Sequence, residues 1–191
     1  MKKYQRTMAA GLMLVVSGLG MYGCNDSGYK VIGDNNNVLA EHSAKRGDAV
    51  AFLLKTSVYV GEVRSMQALP VGAELSAQTD KMVALRSEAD QLGNVLSPYS
   101  HCRSAGYKTS EYWSVVAGEV RTETPESVLA MYVEEAQQCQ VQIDNAPAAV
   151  TYIEMEVDKK PPVEGCLKVV SLGSDEKVQE WSCPSRLISK S

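Results

Sequence analysis

The sequence predicts an α+β fold in which about four helices form a bundle, followed by a small antiparallel β-sheet that contains a disulfide-closed hairpin. Three observations support this prediction. Apolar residues recur at helical spacing as far as residue 143, the pattern changes to alternation after Pro147, and four cysteines in the second half of the chain suit two disulfides. Of the 191 residues, the segment 38–184 has the length of one domain with one main core.

The first helix is predicted over residues 38–66, with Asn37 as its cap and with Gly47 and Gly61 lowering its helix propensity. One of its faces is apolar and consists of Val50, Leu53, Leu54 and Val58. The second helix is better defined, because its apolar residues recur at steps of seven, three, four, three and four and therefore require a partner helix. These residues are Leu75, Met82, Leu85, Ala89, Leu92 and Leu96.

Two pairs of a hydroxyl residue and a proline predict further helix starts. Ser97-Pro98 begins a short helix over residues 98–105, which Gly106 stops, and Thr124-Pro125 begins a helix over residues 125–143 with Cys139 on its inner face. Another helical stretch is expected between them, around Tyr112 and Trp113. If segments 98–105 and 125–143 pack side by side, Cys102 can form a disulfide with Cys139.

Alternation predicts a strand over residues 151–158, which buries Ile153, Met155 and Val157 and turns Tyr152, Glu154, Glu156 and Asp158 outward. Segments 166–172 and 178–183 flank a polar turn, so we expect a hairpin with Cys166 and Cys183 bonded at its open end. A disulfide that closes a loop of this length stabilises a fold by roughly 3 kcal/mol in the chain-entropy model. The tail, residues 185–191, is expected to be loose.

The first 23 residues have the layout of a secretory signal. Basic residues at positions 2, 3 and 6 precede an apolar segment over residues 8–22, which is too short to cross about 30 Å of hydrocarbon at about 1.5 Å per residue. The signal ends in Met21-Tyr22-Gly23-Cys24, which resembles the lipobox of bacterial lipoproteins. This resemblance implies cleavage before Cys24, fatty acylation of Cys24 (palmitate) and attachment to a membrane on its periplasmic side.

Residues 24–37 are polar and rich in turn formers, so they are expected to form a flexible, lipidated tether without fixed structure. Asn25 and Asp26 leave both the inner and the outer membrane open as destinations. Removal of the three basic residues of the signal changes the net charge from −4 to −7. This balance disfavours nucleic acid and anionic lipid surfaces as partners and mildly favours a basic protein or a cationic ligand.

No motif in the sequence indicates catalysis, a metal site or a cofactor. His42, expected on an exposed helix start, and His101 accompany no Gly-x-Ser-x-Gly elbow, and their spacing to the cysteines matches no zinc pattern. The paired carboxylates Glu134 and Glu135 diverge on a helix, whereas Glu154 and Glu156 share the outer strand face. We therefore expect a protein that is not an enzyme.

These features favour a membrane-anchored periplasmic lipoprotein that binds and blocks a protein partner, of the immunity, inhibitor or exclusion type. The alternative is a structural or assembly lipoprotein of an envelope or secretion machine. The expected contacts are an aromatic segment and the acidic strand face, namely Tyr107, Tyr112, Trp113, Tyr152, Glu154, Glu156 and Asp158. Core packing explains Trp113 equally well.

Overall fold

A computed structural model of the chain describes residues 28–169 and 178–188. The predicted α+β class is confirmed: this part of the chain contains four helices and a four-stranded antiparallel sheet in the order β1-β2-β4-β3. The elements in chain order are β1 Lys30–Asp34, α1 Asn36–Ser65, α2 Ala73–Gln91, α3 Ser100–Val116, α4 Pro125–Asp144, β2 Val150–Glu156, β3 Leu167–Val169, β4 Val178–Pro184 and a final 3-10 turn, Ser185–Leu187. The signal, Cys24 and the first residues of the predicted tether lie outside the described residues.

Helix α1 buries a different face from the one that its apolar residues suggested. Val50, Leu54 and Val58 are 46%, 66% and 50% exposed. The residues that it buries instead are His42, Ala49, Phe52, Thr56, Val60 and Val63. Polar members of this buried face are compatible with the core because they have hydrogen-bond partners. The Thr56 hydroxyl, for example, donates to the carbonyl of Leu53 at 2.8 Å.

His42 is buried at 6% exposure, so the prediction of a solvated histidine was wrong. Its Nε2 donates to the backbone carbonyl of Gln142 at 2.8 Å, and its ring stacks on Tyr99 with the centroids 5.0 Å apart. The Tyr99 hydroxyl in turn donates to the carbonyl of His42 at 2.7 Å. The imidazole therefore joins α1 to the end of α4 and to the start of α3.

Helix α2 matches its predicted stripe, with Met82, Leu85 and Ala89 buried, but it ends at Gln91, and Leu96 lies beyond it at 87% exposure. Helix α3 is one continuous rod, so the predicted stop at Gly106 was wrong. At Gly106 the rod touches its neighbours. A Cβ there would lie 2.5 Å from Cζ of Phe52 and 3.0 Å from Cβ of Ala89. Packing against α1 and α2 thus outweighs the roughly 1 kcal/mol by which glycine disfavours a helix.

Helix α4 begins as predicted at Thr124-Pro125, where the Thr124 hydroxyl oxygen accepts a hydrogen bond from the Ser127 N–H at 3.2 Å. Cys139 is fully buried and forms a disulfide with Cys102, which ties α4 to α3. The predicted pairing of these two cysteines is confirmed.

The hairpin and its disulfide are also confirmed. β3 pairs with β4, and Cys166 is bonded to Cys183, whereas residues 170–177, where the turn was predicted, lie outside the described residues. β2 pairs with the other edge of β4, and its residues Ile153 and Met155 are buried. The strand ends at Glu156. Val157 is therefore 40% exposed instead of buried, which corrects the prediction for that residue.

Part of the predicted tether is folded. Residues 30–34 form β1, which pairs with the free edge of β2, and α1 begins at Asn36. Asn35 secures this arrangement, since its Nδ2 donates to the carbonyl of Ala148 at 2.8 Å and its Oδ1 accepts from the N–H of Val150 at 2.9 Å. Both junctions between the helices and the sheet thus meet at one side chain.

The helices and the sheet have separate hydrophobic cores. Among residues 28–169 and 178–188, the buried core of the sheet consists of Ile153, Met155, Cys183 and Ile188. The 3-10 turn after β4 brings Ile188 to 7% exposure, so the chain is folded as far as this residue and the prediction of a loose tail from Ser185 was wrong up to Ile188. Residues 189–191 lie outside the described residues.

None of the helices in ranges 28–169 and 178–188 is both long and apolar enough to span a membrane.

Candidate interaction surfaces

The aromatic segment predicted as a contact surface lies mostly inside the bundle. Tyr112 and Trp113 are only 6% and 1% exposed, and the indole N–H of Trp113 donates to the Thr79 hydroxyl at 3.1 Å. Because α3 continues through Gly106, it carries both rings into the core that it shares with its neighbours. These two residues are therefore core residues and not partner contacts.

Tyr107 lies at the surface, in a charged cluster between α2 and α3. The guanidinium groups of Arg86 and Arg103 lie over its ring at 4.9 and 4.6 Å from the centroid. Its hydroxyl donates to the Asp90 carboxylate at 2.8 Å, and Arg103 donates to the same oxygen at 2.9 Å. Cation–π contacts and hydrogen bonds thus hold the ring in a fixed orientation.

This cluster also fixes the charge of Asp90. Donation from the Tyr107 hydroxyl and then from Arg103 stabilises the carboxylate and holds the pKa of Asp90 below its ordinary value of 3.8. A surface cleft of about 310 Å³ opens beside the cluster and is lined by Arg86, Tyr107, Glu111, Ser114 and Val120. The carboxylate of Glu111 accepts a hydrogen bond from Lys108 at 2.7 Å.

The second predicted surface is the outer face of the sheet, opposite Ile153 and Met155. Tyr152 and Glu154 are half-buried there and Glu156 is exposed, as alternation along β2 requires. The pairing of β2 with β4 brings to this face one more residue, which the sequence analysis did not identify. Glu154 lies directly across from Glu180 of β4, so two carboxylates from neighbouring strands share this face. We call Tyr152, Glu154, Glu156 and Glu180 the outer sheet face.

Two lysines border this face and partly offset its charge. Lys159 donates to Glu156 at 2.8 Å, and this contact lowers the pKa of Glu156. On the other side, Lys30 of β1 lies across from Glu154 in the strand register. The two lysines and Glu154 and Glu156 line one cleft of about 370 Å³. The surface is thus acidic with a basic rim, and not the uninterrupted row of carboxylates that was predicted.

Asp158 does not belong to the outer sheet face. β2 ends at Glu156, and Asp158 lies in the following turn with a φ of 75°, a conformation that aspartate tolerates better than most residues. This corrects its predicted place on the strand. Glu180, by contrast, could have been found, because it stands next to Trp181 in an alternating segment and so faces away from the sheet core.

His101 is the histidine whose side chain contacts a carboxylate, an arrangement that catalytic histidines also use. Its Nδ1 lies 2.8 Å from a carboxylate oxygen of Glu135 on α4, so the two can form an ion pair when the ring is protonated. Among the described residues no hydroxyl or thiol is hydrogen-bonded to its Nε2. Nor do the described residues include a group of three or more histidine, cysteine, aspartate or glutamate side chains placed to hold a metal ion.

Cys24 lies outside the described residues, so its lipidation stays a prediction. The predicted partner residues that the structure leaves at a surface are Tyr107, Tyr152, Glu154, Glu156 and Asp158. Tyr107 lies in a helical cluster, Tyr152, Glu154 and Glu156 lie on the sheet, and Asp158 lies in the turn after β2. Compared with protein-family models, curated proteins and solved structures, the chain matches none of them.

Proposed function

We propose that this chain is an envelope lipoprotein, attached to a membrane through acylated Cys24 and facing the periplasm, that binds a protein partner and blocks it. The attachment rests on the signal layout and on Met21-Tyr22-Gly23-Cys24, which resembles a lipobox. Two or more acyl chains hold a protein stably at a membrane, whereas one gives only marginal attachment.

The outer sheet face is the observation that carries the binding proposal. Glu154 and Glu180 meet across neighbouring strands, and Glu156 extends the row at 71% side-chain exposure. Carboxylates grouped in this way attract a basic surface and speed its capture at low ionic strength. Tyr152 adds an aromatic side chain of the kind that is common at the centre of interfaces.

The expected partner is a protein with a basic patch that crosses β2 and β4. We expect it to be bound at one copy per chain and to lose its activity while bound. If the chain instead had an assembly role, its purification would recover several components of one machine together.

The test uses the variant Glu154→Gln/Glu156→Gln. Glutamine is preferable to lysine, because Lys30 lies across from Glu154 and Lys159 contacts Glu156, so added lysines would create like-charge pairs. The tagged chain is cross-linked in intact cells and purified, and the partner that is recovered is quantified. We expect the variant to recover less partner than wild type and to show a weaker dependence of recovery on salt.

The matched control is Glu119→Gln/Glu134→Gln, which removes the same charge from exposed positions after α3 and on α4. It should recover as much partner as wild type. Equal recovery by the variant of the outer sheet face would contradict the proposal, and so would a loss that the control shares.

A further inference from the structure

Helix α1 exposes an apolar face along most of its length, opposite the face that it buries. Exposed residues follow one another at steps of three and four, the spacing of a helix that packs against a second helix. They are Ala44, Gly47, Ala51, Leu54, Val58 and Gly61. Leu54 and Val58 are the large members of this outer α1 face, at 66% and 50% exposure. No described element of the chain covers them.

The order of large and small residues makes this face complementary to itself. In an antiparallel pair of α1 helices with a two-fold axis at Ala51, Leu54 of each copy lies across from Gly47 of the other. Val58 lies across from Ala44 in the same way. A Cβ at Gly47 would meet no atom of its own chain within 4 Å, so the space above it is open to a side chain from outside. Large residues thus enter the hollows left by small ones, as close packing requires.

Charges beside the face favour the same arrangement. Asp48 and Lys55 are seven residues apart and therefore lie on the same flank of the helix. The two-fold axis at Ala51 brings Asp48 of each copy next to Lys55 of the other. Asp48 has no ion pair or hydrogen-bonded side chain among the described residues. Lys55 donates to Glu88 at 2.6 Å, and its ammonium group has further donors for a second carboxylate.

The remaining charges of this flank are Glu41 and Glu62, which would approach each other in the pair. Each already has a lysine of its own chain, Lys45 at 2.9 Å and Lys81 at 2.8 Å, which offsets the repulsion. Because lysines pair with the carboxylates, this flank has no net positive charge with which to attract an anionic lipid surface. A copy of the same helix suits it better.

We propose that α1 pairs in antiparallel orientation with α1 of a second copy of this chain, through a symmetric interface centred on Ala51. The face runs over about 26 Å at about 1.5 Å per residue. One helix pair of this length falls below the roughly 1,200 Å² of a standard interface, so we expect a weak, reversible dimer.

The test is a disulfide across the two-fold axis in the full-length chain, expressed with its own signal. In the variant Ala51→Cys the two new thiols face each other, and a covalent dimer should form in the oxidising envelope. The control is Val83→Cys, at a residue of α2 that is also exposed, at 61%. We expect at least about tenfold more dimer from Ala51→Cys, seen on non-reducing gels, since only that position meets itself across a two-fold axis. Peptide mapping verifies that both native disulfides are intact.

Adding Gly47→Leu to Ala51→Cys should remove the covalent dimer, because the leucine fills the hollow that receives Leu54. The helix itself tolerates this change, and an unaltered circular dichroism spectrum checks that it does. Equal dimer yields from Ala51→Cys and Val83→Cys would overturn the proposal. A cross-linked product of Ala51→Cys that contains a different protein would overturn it too.

The charge arrangement has its own test, in which two tagged chains with Ala51→Cys are expressed together. One also carries Asp48→Lys and the other Lys55→Asp. In a pair of identical variants, positions 48 and 55 of the two copies carry like charges at both contacts. In the mixed pair they carry opposite charges at both contacts. We therefore expect about tenfold more mixed dimer than either self dimer, since an isologous interface counts each substitution twice. A statistical mixture of the three products would contradict the antiparallel register.

Discussion

Gly106 determines how closely α3 approaches the two helices beside it. A Cβ at this position would lie 2.5 Å from Cζ and 2.9 Å from Cε1 of Phe52, which is itself buried. Gly106→Ala should therefore destabilise the chain by about 1–3 kcal/mol, the usual cost of overpacking a core, which exceeds the gain of up to about 1 kcal/mol from the helix propensity of alanine. Urea unfolding followed by circular dichroism measures the change.

The matched control for Gly106→Ala is Gly61→Ala on α1. Gly61 is exposed at the end of the outer α1 face, and in a single copy of the chain an added Cβ meets nothing within 4 Å, so the comparison is made at protein concentrations that keep the chain monomeric. This substitution should stabilise the chain by up to about 1 kcal/mol, because alanine loses less backbone entropy than glycine in a helix. If both variants are stabilised alike, the close contact at Gly106 does not exist.

The sequence around Gly106 could not distinguish a helix stop from a packing contact. The distinction depends on Phe52 and Ala89, which are distant in the chain and adjacent only in the fold. The same reason explains the error at His42, whose polar ring is accommodated by a carbonyl one hundred residues away. At Trp113 the sequence left both core and surface open, whereas Tyr112 was predicted as a contact; the course of α3 places both rings in the core.

At the level of elements, those with local signals were predicted well. The start of α4 depends on Thr124, Pro125 and Ser127, which lie within three residues of one another in the sequence. The regular apolar stripe of α2 requires a packing partner, whichever element provides it. β1 was missed because it is only five residues long, follows a polar segment and pairs with β2 across more than a hundred residues. Alternation along β2 correctly predicted the outward side chains Tyr152, Glu154 and Glu156. The placement of Asp158 on the strand was wrong, because the turn that follows determines where the strand ends.

The contact between α2 and α3 at Asp90 should depend on pH. Because the pKa of Asp90 is lowered in the fold, its carboxylate stabilises the fold at pH values above the ordinary 3.8, and this contribution is lost as the pH falls through the lowered pKa. Asp90→Asn should thus lower the urea midpoint at neutral pH, and the difference from wild type should shrink as the pH falls below that ordinary value.

Asp80→Asn is the control for Asp90→Asn, since Asp80 is exposed on the same helix and has no ion pair among the described residues. Its urea midpoint should follow wild type at every pH. A constant difference between Asp90→Asn and wild type across the acidic range would show that the carboxylate charge is not what joins the helices.

Across the whole molecule, the two hydrophobic cores are of unequal size, and each has its own disulfide. Cys102–Cys139 lies in the large bundle core, and Cys166–Cys183 closes the sheet, whose core has four buried residues in the described part of the chain. A small sheet with so few buried side chains is marginal alone, so its disulfide should matter more to it than the other does to the bundle. The chain has two tryptophans, and they report on different cores: Trp113 lies in the bundle and Trp181 packs against the sheet core.

This separation predicts that Cys166→Ala/Cys183→Ala unfolds in two steps. The loop closed by this disulfide spans 17 residues, so its loss removes about 3 kcal/mol in the chain-entropy model, which the sheet core cannot offset. Trp113→Phe leaves Trp181 as the fluorescent probe of the sheet, and Trp181→Phe leaves Trp113 as the probe of the bundle. In the variant without this disulfide, the fluorescence of Trp181 should change at a lower urea concentration than that of Trp113, and helical circular dichroism should follow Trp113. Coincident transitions of both probes would mean that the contacts of Asn35 couple the sheet and the bundle into one cooperative unit, because Asn35 is hydrogen-bonded to Ala148 and Val150 at their junction.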